Sequence, residues 1–180
     1  MRSTFLIAVF AAVSVAGHAC ASGQITPITL DGDWAAFEHS PSMTDSPDLC
    51  IAMNANAGFF IRIDDSGDIE FRLTNDSWSL PTGVTGELKF AVNSHNYSFD
   101  ITDNTSNMVS ADISQAQLMP VVTDMEEADS MQIIAGSSAP VSVSLDGSNQ
   151  VLTALLTCSG ISAPSSNTGG ENPFSSSSNQ

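Results

Sequence analysis

Positive charge is what this chain has least of. Its 180 residues carry four Lys and Arg against 20 Asp and Glu, a formal net charge of −16. With so few cations nothing neutralises phosphates, which excludes nucleic acid and anionic membrane surfaces as partners. The chain has three His, one Tyr and three Cys. No G-x-S-x-G elbow, H-x-H pair, H-E-x-x-H helix, Gly-rich phosphate loop or dinucleotide fingerprint occurs. The sequence therefore calls for no cofactor and shows no recognisable catalytic set. Past the N-terminus no apolar run is long enough to span a bilayer.

The N-terminus holds the one long apolar stretch. Arg2 precedes the apolar run Phe5–Ala16, and Ala19-Cys20-Ala21 follows as a small-x-small site. That order predicts a cleaved signal peptide over residues 1–21 and a periplasmic or secreted mature chain from Ser22. A lipid anchor through Cys20 is the alternative, although Gly17 stands where a lipobox has a Leu-like residue. Cleavage removes Arg2 and leaves Arg62, Arg72 and Lys89 against 20 acids, a net −17. Such a surface favours a basic envelope or secreted partner.

Cleavage also leaves two cysteines, Cys50 and Cys158. In an exported chain they most simply pair, and two separate buried thiols are the alternative. With no His near either of them in sequence, a zinc site is not indicated.

At 42% hydrophobic residues the chain can build one core. Residues 22–161 are expected to form a single β-rich domain. The segment 162–180 is Ser, Asn, Gly and Pro with Phe174 as its one large apolar residue, and reads as a disordered tail.

The middle of the domain reads as hairpins. Phe59, Ile61 and Ile63 alternate, as do Ile69, Phe71 and Leu73, around Asp64-Asp65-Ser66-Gly67-Asp68. Pairing Asp64 with Asp68 puts Gly67 at the last loop position, where a left-handed backbone is needed. The same register sets Ile61 against Phe71, and Arg62 against Glu70 on the opposite face. A second hairpin joins Leu88–Val92 to Tyr97–Ile101. There a turn over Asn93–Asn96 sets Val92 opposite Tyr97 and Lys89 opposite Asp100.

Further strands are expected at Trp34–His39, Leu49–Asn54, Val109–Ile113, Met131–Ala135 and Val141–Leu145. Pro120 suits the first position of a helix running to about Asp129. A last helix is expected from Asn149 to Ser159, capped by Ser148 and stopped by Gly160. Alternating faces, frequent turn signals and a late helix together predict an all-β, mainly antiparallel, sandwich-like fold with one or two short helices.

Four features occur in an order that resembles exported periplasmic proteins of the invasion-associated locus B type. They are Gly32-Asp33-Trp34, Cys50 with its apolar strand, Leu80-Pro81-Thr82-Gly83-Val84 after Trp78, and Val143-Ser144-Leu145-Asp146-Gly147-Ser148 before a Leu-rich helix. The resemblance implies a periplasmic β-rich module and carries over no catalytic residue.

Candidate sites are few. Trp34 and Trp78 are the two large aromatics able to serve as ligand platforms, or as core anchors. Asp64, Asp65 and Asp68 offer oxygens to Ca²⁺, but without EF-hand spacing, and a hairpin turn needs the same residues. His39 and His95 read as solvated surface residues. These features favour a non-catalytic binding or interaction module of the cell envelope. A small hydrolase using acidic residues and a lipid-anchored envelope component are the alternatives.

Overall fold

The computed structural model describes residues 23–162. The expected signal peptide and all of the expected tail beyond Ser162 lie outside the described residues.

Eleven strands and two helices follow in the order β1 (Gln24–Asp31), β2 (Trp34–Ser40), β3 (Leu49–Asn54), β4 (Phe59–Asp64), β5 (Ile69–Thr74), β6 (Glu87–Val92), β7 (His95–Asp100), β8 (Asp103–Asn104), β9 (Met108–Ile113), α1 (Gln115–Glu126), β10 (Ser130–Ala135), β11 (Val141–Ser144) and α2 (Ser148–Cys158). They form a seven-stranded sheet, β1-β2-β3-β4-β5-β9-β8, and a four-stranded sheet, β11-β10-β6-β7. All pairings are antiparallel. The fold is thus the expected all-β sandwich-like domain with two helices, one of them C-terminal.

The alternation read from sequence decides which side is covered. In β3, β4 and β5 every second residue is buried and its neighbours are half-buried. The inward set builds the core. Phe59 and Phe71 of the large sheet meet Phe90 and Phe99 of the small one, with Phe71 and Phe90 centroids 4.8 Å apart. Trp34 closes this aromatic cluster edge-on against Phe59. The small sheet is narrower than the large one, and α2 covers the inner side of β1, β2 and β3 instead. Val151, Leu152, Leu155 and Leu156 are its buried apolar positions. Cys158, at its last turn, is disulfide-bonded to Cys50 on β3 with Cα atoms 6.0 Å apart.

The first hairpin has the expected register, Ile63 opposite Ile69 and Arg62 opposite Glu70. Gly67 has φ +86°. Its N–H donates to the Asp64 carbonyl, and Asp64 N–H donates to the Asp68 carbonyl.

The second hairpin corrects the expectation by two residues. Val92 lies opposite His95, Phe90 opposite Tyr97 and Glu87 opposite Asp100. Lys89 faces Ser98 and pairs with Glu87 at 2.9 Å. A shift of two keeps each side chain on its own face, so apolar alternation does not distinguish the registers. The turn decides. Asn93 takes φ +52°, which Asn tolerates, and a two-residue loop closes the hairpin.

The first helix also starts earlier than expected. Ser114 and Gln117 set its N-terminus: Gln117 Oε1 accepts the Ser114 N–H at 2.9 Å. Pro120 therefore lies inside α1 rather than at its start, and the helix ends at Glu126 rather than Asp129. At the last helix the cap is Gly147, with φ +83°, and Ser148 is the first helical residue. β1 has no counterpart among the expected strands.

Two of the sequence features quoted above meet in space. Trp34 Nε1 donates to the Ser144 carbonyl at 2.8 Å, Asn54 Nδ2 to the same oxygen at 3.1 Å, and Asp33 N–H to the Asp146 carbonyl at 3.2 Å. The turns at Gly32 and Gly147 lie backbone to backbone. A Cβ on Gly147 would meet the Asp31 carbonyl, and one on Gly32 the Asp146 carbonyl.

Candidate functional site

A cleft of about 320 Å³ opens at the end of the sandwich where the chain crosses from β5 to β6. Trp78 and Leu80 come from the crossing segment, Ile101 from the link between β7 and β8, Val109 from β9, Ala135 from the end of β10 and Ser137 from the β10–β11 turn. None of its lining side chains is ionisable. That volume and apolar lining lie at the small end of ligand pockets.

The crossing segment is held by hydrogen bonds. Asn75 N–H donates to the Asn107 carbonyl at 2.9 Å and Leu80 N–H to the Ser106 carbonyl at 2.8 Å. Asn104 acts as a clamp. Its Oδ1 accepts from Gly83 and Val84 N–H at 3.0 and 2.9 Å, and its Nδ2 donates to the Pro81 carbonyl at 2.8 Å. The Pro81-Thr82-Gly83 turn is thus pinned to β8, and Trp78 packs, partly buried, against the core edge.

The two tryptophans separate. Trp78 lines the cleft, whereas Trp34 is 2% exposed and belongs to the core. The carboxylates around Gly67 organise the turn. Asp64 Oδ1 accepts from Ser66 N–H at 3.1 Å, Ser66 Oγ at 2.5 Å and Asp68 N–H at 3.0 Å. The Ser66 hydroxyl foremost holds the Asp64 carboxyl below its ordinary pKa, with the Asp68 N–H and Arg62 adding to it against burial. Among the described residues no three His, Cys, Asp or Glu side chains converge as a metal site requires.

Both histidines among the described residues are oriented by a carboxylate. His39 Nδ1 lies 2.5 Å from Asp48 Oδ1, and His95 Nδ1 lies 2.6 Å from Asp124 Oδ2. Asp124 is buried, 8% exposed, and the Tyr97 hydroxyl donates to the same Oδ2 at 2.5 Å. Burial, then the Asp124 carboxylate, pushes the Tyr97 phenol up to about 12. At neutral pH Tyr97 is therefore a hydrogen-bond donor and not a base. Among the described residues no hydroxyl or thiol hydrogen-bonds the remaining nitrogen of His95.

Sequence reasoning singled out Trp78 but not Ile101, Asn104 or Ala135. Asn104 lies 21 residues beyond Gly83, and nothing local marks it as the clamp. No protein family, no curated protein and no solved structure matches the chain.

Proposed function

We propose that the chain is an exported, non-catalytic binding module of the cell envelope, and that the Trp78 cleft receives an apolar side chain of a basic partner. One observation carries this reading: the cleft is apolar and its lining has no ionisable side chain, which suits binding and leaves acid–base chemistry without a donor. Export is supported by the Arg2 and Phe5–Ala16 pattern, by the Cys50–Cys158 bridge, and by the resemblance to periplasmic β-rich modules. The net charge of −16 supplies attraction for a basic partner.

NMR titration with a Lys-rich peptide bearing a single Phe tests it. Shifts should centre on Ile101, Ala135 and Ser137, and Trp78→Ala should abolish them while the rest of the spectrum is kept. Absence of shifts at millimolar peptide rejects the reading.

A second reading, a small hydrolase, draws on the Asp124–His95 contact. It requires an activity that Asp124→Asn removes. A lipid anchor at Cys20 is decided by the mass of the processed N-terminus.

A further inference from the structure

The Trp78 cleft has a neighbour. A second cleft of about 320 Å³ opens at the same end of the sandwich, lined by the β3–β4 turn, by residues 74–76 and by Val141 at the start of β11. One turn divides the two. Trp78 N–H donates to the Asn75 carbonyl at 3.0 Å, and Asn75 Oδ1 accepts from Ser77 N–H at 2.9 Å and Ser77 Oγ at 2.6 Å. The turn sets Asn75 and Asp76 in the second cleft and Trp78 in the first. Opposite it, the β10–β11 connection gives Ser138 to the first cleft and Val141 to the second.

The clefts differ in chemistry. Asp76 is the one ionisable residue lining the second. It is exposed, and among the described residues no donor bonds its carboxylate. Asp33 adjoins the same cleft, because its Oδ1 accepts from the lining Asn56 Nδ2 at 3.0 Å. No cation lines either cleft. We infer that the two clefts form one site for an extended basic peptide segment. An apolar side chain enters the Trp78 cleft, and a Lys or Arg side chain two residues away lies beside Asp76. The inference rests on the binding-module reading above and adds the feature by which the partner is selected.

Spacing sets the two-residue interval. The first and last residues of such a turn lie within about 7 Å of each other. In an extended chain residues i and i+2 share one face and are about 6.6 Å apart, whereas neighbours point to opposite faces. Charge sets the order of chemistry, since a cation finds an unpaired carboxylate in one cleft and none in the other. A second copy of the chain does not fit. Its described cations are taken, Arg62 and Arg72 by Glu70 at 2.9 and 2.5 Å and Lys89 by Glu87 at 2.9 Å. Its net charge of −16 repels an identical chain as well.

NMR titration of the protein with terminally blocked Ser-rich peptides carrying Phe-Ser-Arg, Arg-Ser-Phe, Phe-Ser-Gln or Phe-Arg tests the inference. One of the first two should bind about two- to fivefold more tightly than Phe-Ser-Gln at low salt, the range of an exposed ion pair. It should shift Gly58, Thr74 and Asp76 in addition to Ile101 and Ala135. High NaCl should erase the advantage, because both charges are exposed. Asp76→Asn should bring the Arg peptides down to the level of the Gln peptide, and the Phe-Arg peptide should show no advantage. Shifts at Ile101 and Ala135 of equal affinity for Arg and Gln peptides overturn the inference and leave the cleft reading standing. So does an Arg advantage that survives Asp76→Asn or that Phe-Arg shares. No shifts with any peptide at millimolar concentration reject both.

Discussion

Asp124 shows how a single buried residue gathers distant ones. Its carboxylate accepts from Tyr97 and contacts His95, while its carbonyl accepts from Asn93 Nδ2 at 3.3 Å. Tyr97 is the one tyrosine of the chain, so an ultraviolet titration reads it without ambiguity. Tyrosinate should form near pH 12 in the folded protein instead of near 10. A raised pKa means the folded state favours the neutral phenol. Its stabilising contribution is whole below the unfolded value and is lost as pH rises through about 12. Tyr97→Phe should cost about 1–3 kcal/mol at neutral pH, measured by denaturant unfolding, because the acceptor is a carboxylate.

Two glycines at the same scale differ in kind. Gly67 has open space around a would-be Cβ, so Gly67→Ala should cost only the left-handed backbone, about 1–2 kcal/mol. Gly147 has the same need, φ +83°, and in addition a Cβ there would meet the Asp31 carbonyl and the Gly32 nitrogen. Gly147→Ala should therefore cost more, about 2–5 kcal/mol. Equal losses in the two variants would mean that the Gly32–Gly147 contact does not hold the termini of the domain together.

At the scale of the element, α1 carries a cost that its sequence advertises and its packing outweighs. Pro120 offers no N–H to the Ala116 carbonyl, and Ala116 is exposed. Leu118, Val121, Val122 and Met125 bury the other side of the helix. Pro120→Ala restores the missing bond and should raise stability by about 2 kcal/mol, the interior proline penalty of about 3 less the flexibility gained by the unfolded chain. An unchanged denaturation midpoint would indicate a helix that begins at Pro120. The second hairpin teaches the matching lesson for strands. Its apolar alternation was legible, but alternation repeats every two residues and leaves the register free. The left-handed Asn93 fixes it, and in doing so places His95 directly across from Val92 and within reach of Asp124. The first hairpin was legible in full because its loop glycine, its apolar pairs and its Arg62–Glu70 pair all demand one register.

For the molecule as a whole, the bridge between Cys50 and Cys158 ties the final helix to the sheet across 108 residues. Closing a loop of that length stabilises the fold by roughly 4–5 kcal/mol in the chain-entropy description. Cys158→Ser should accordingly lower unfolding free energy by about 2–5 kcal/mol, and reductant should lower the melting temperature of the parent but not of the variant.

Sequence by itself determined the class of this protein. Period-two alternation, turn residues and one leucine-rich helix are local properties, so the antiparallel sheets, the hairpin at Gly67 and the position of α2 follow from neighbours along the chain. Cysteine count alone pointed to the bridge. Tertiary structure decided the rest. Whether a tryptophan is core or cleft depends on what crosses over it. Trp34 is enclosed by Phe59 and the Ser144 carbonyl, and Trp78 is left at the rim by a segment pinned to Asn104. The outer side of the seven-stranded sheet is a matter of register as well. Phe37, Ile51, Met53 and Phe60 are scattered over three strands, and become one surface only when β2, β3 and β4 align. Burial is a sum over contacts between residues far apart in the chain, which is why no local pattern announces it.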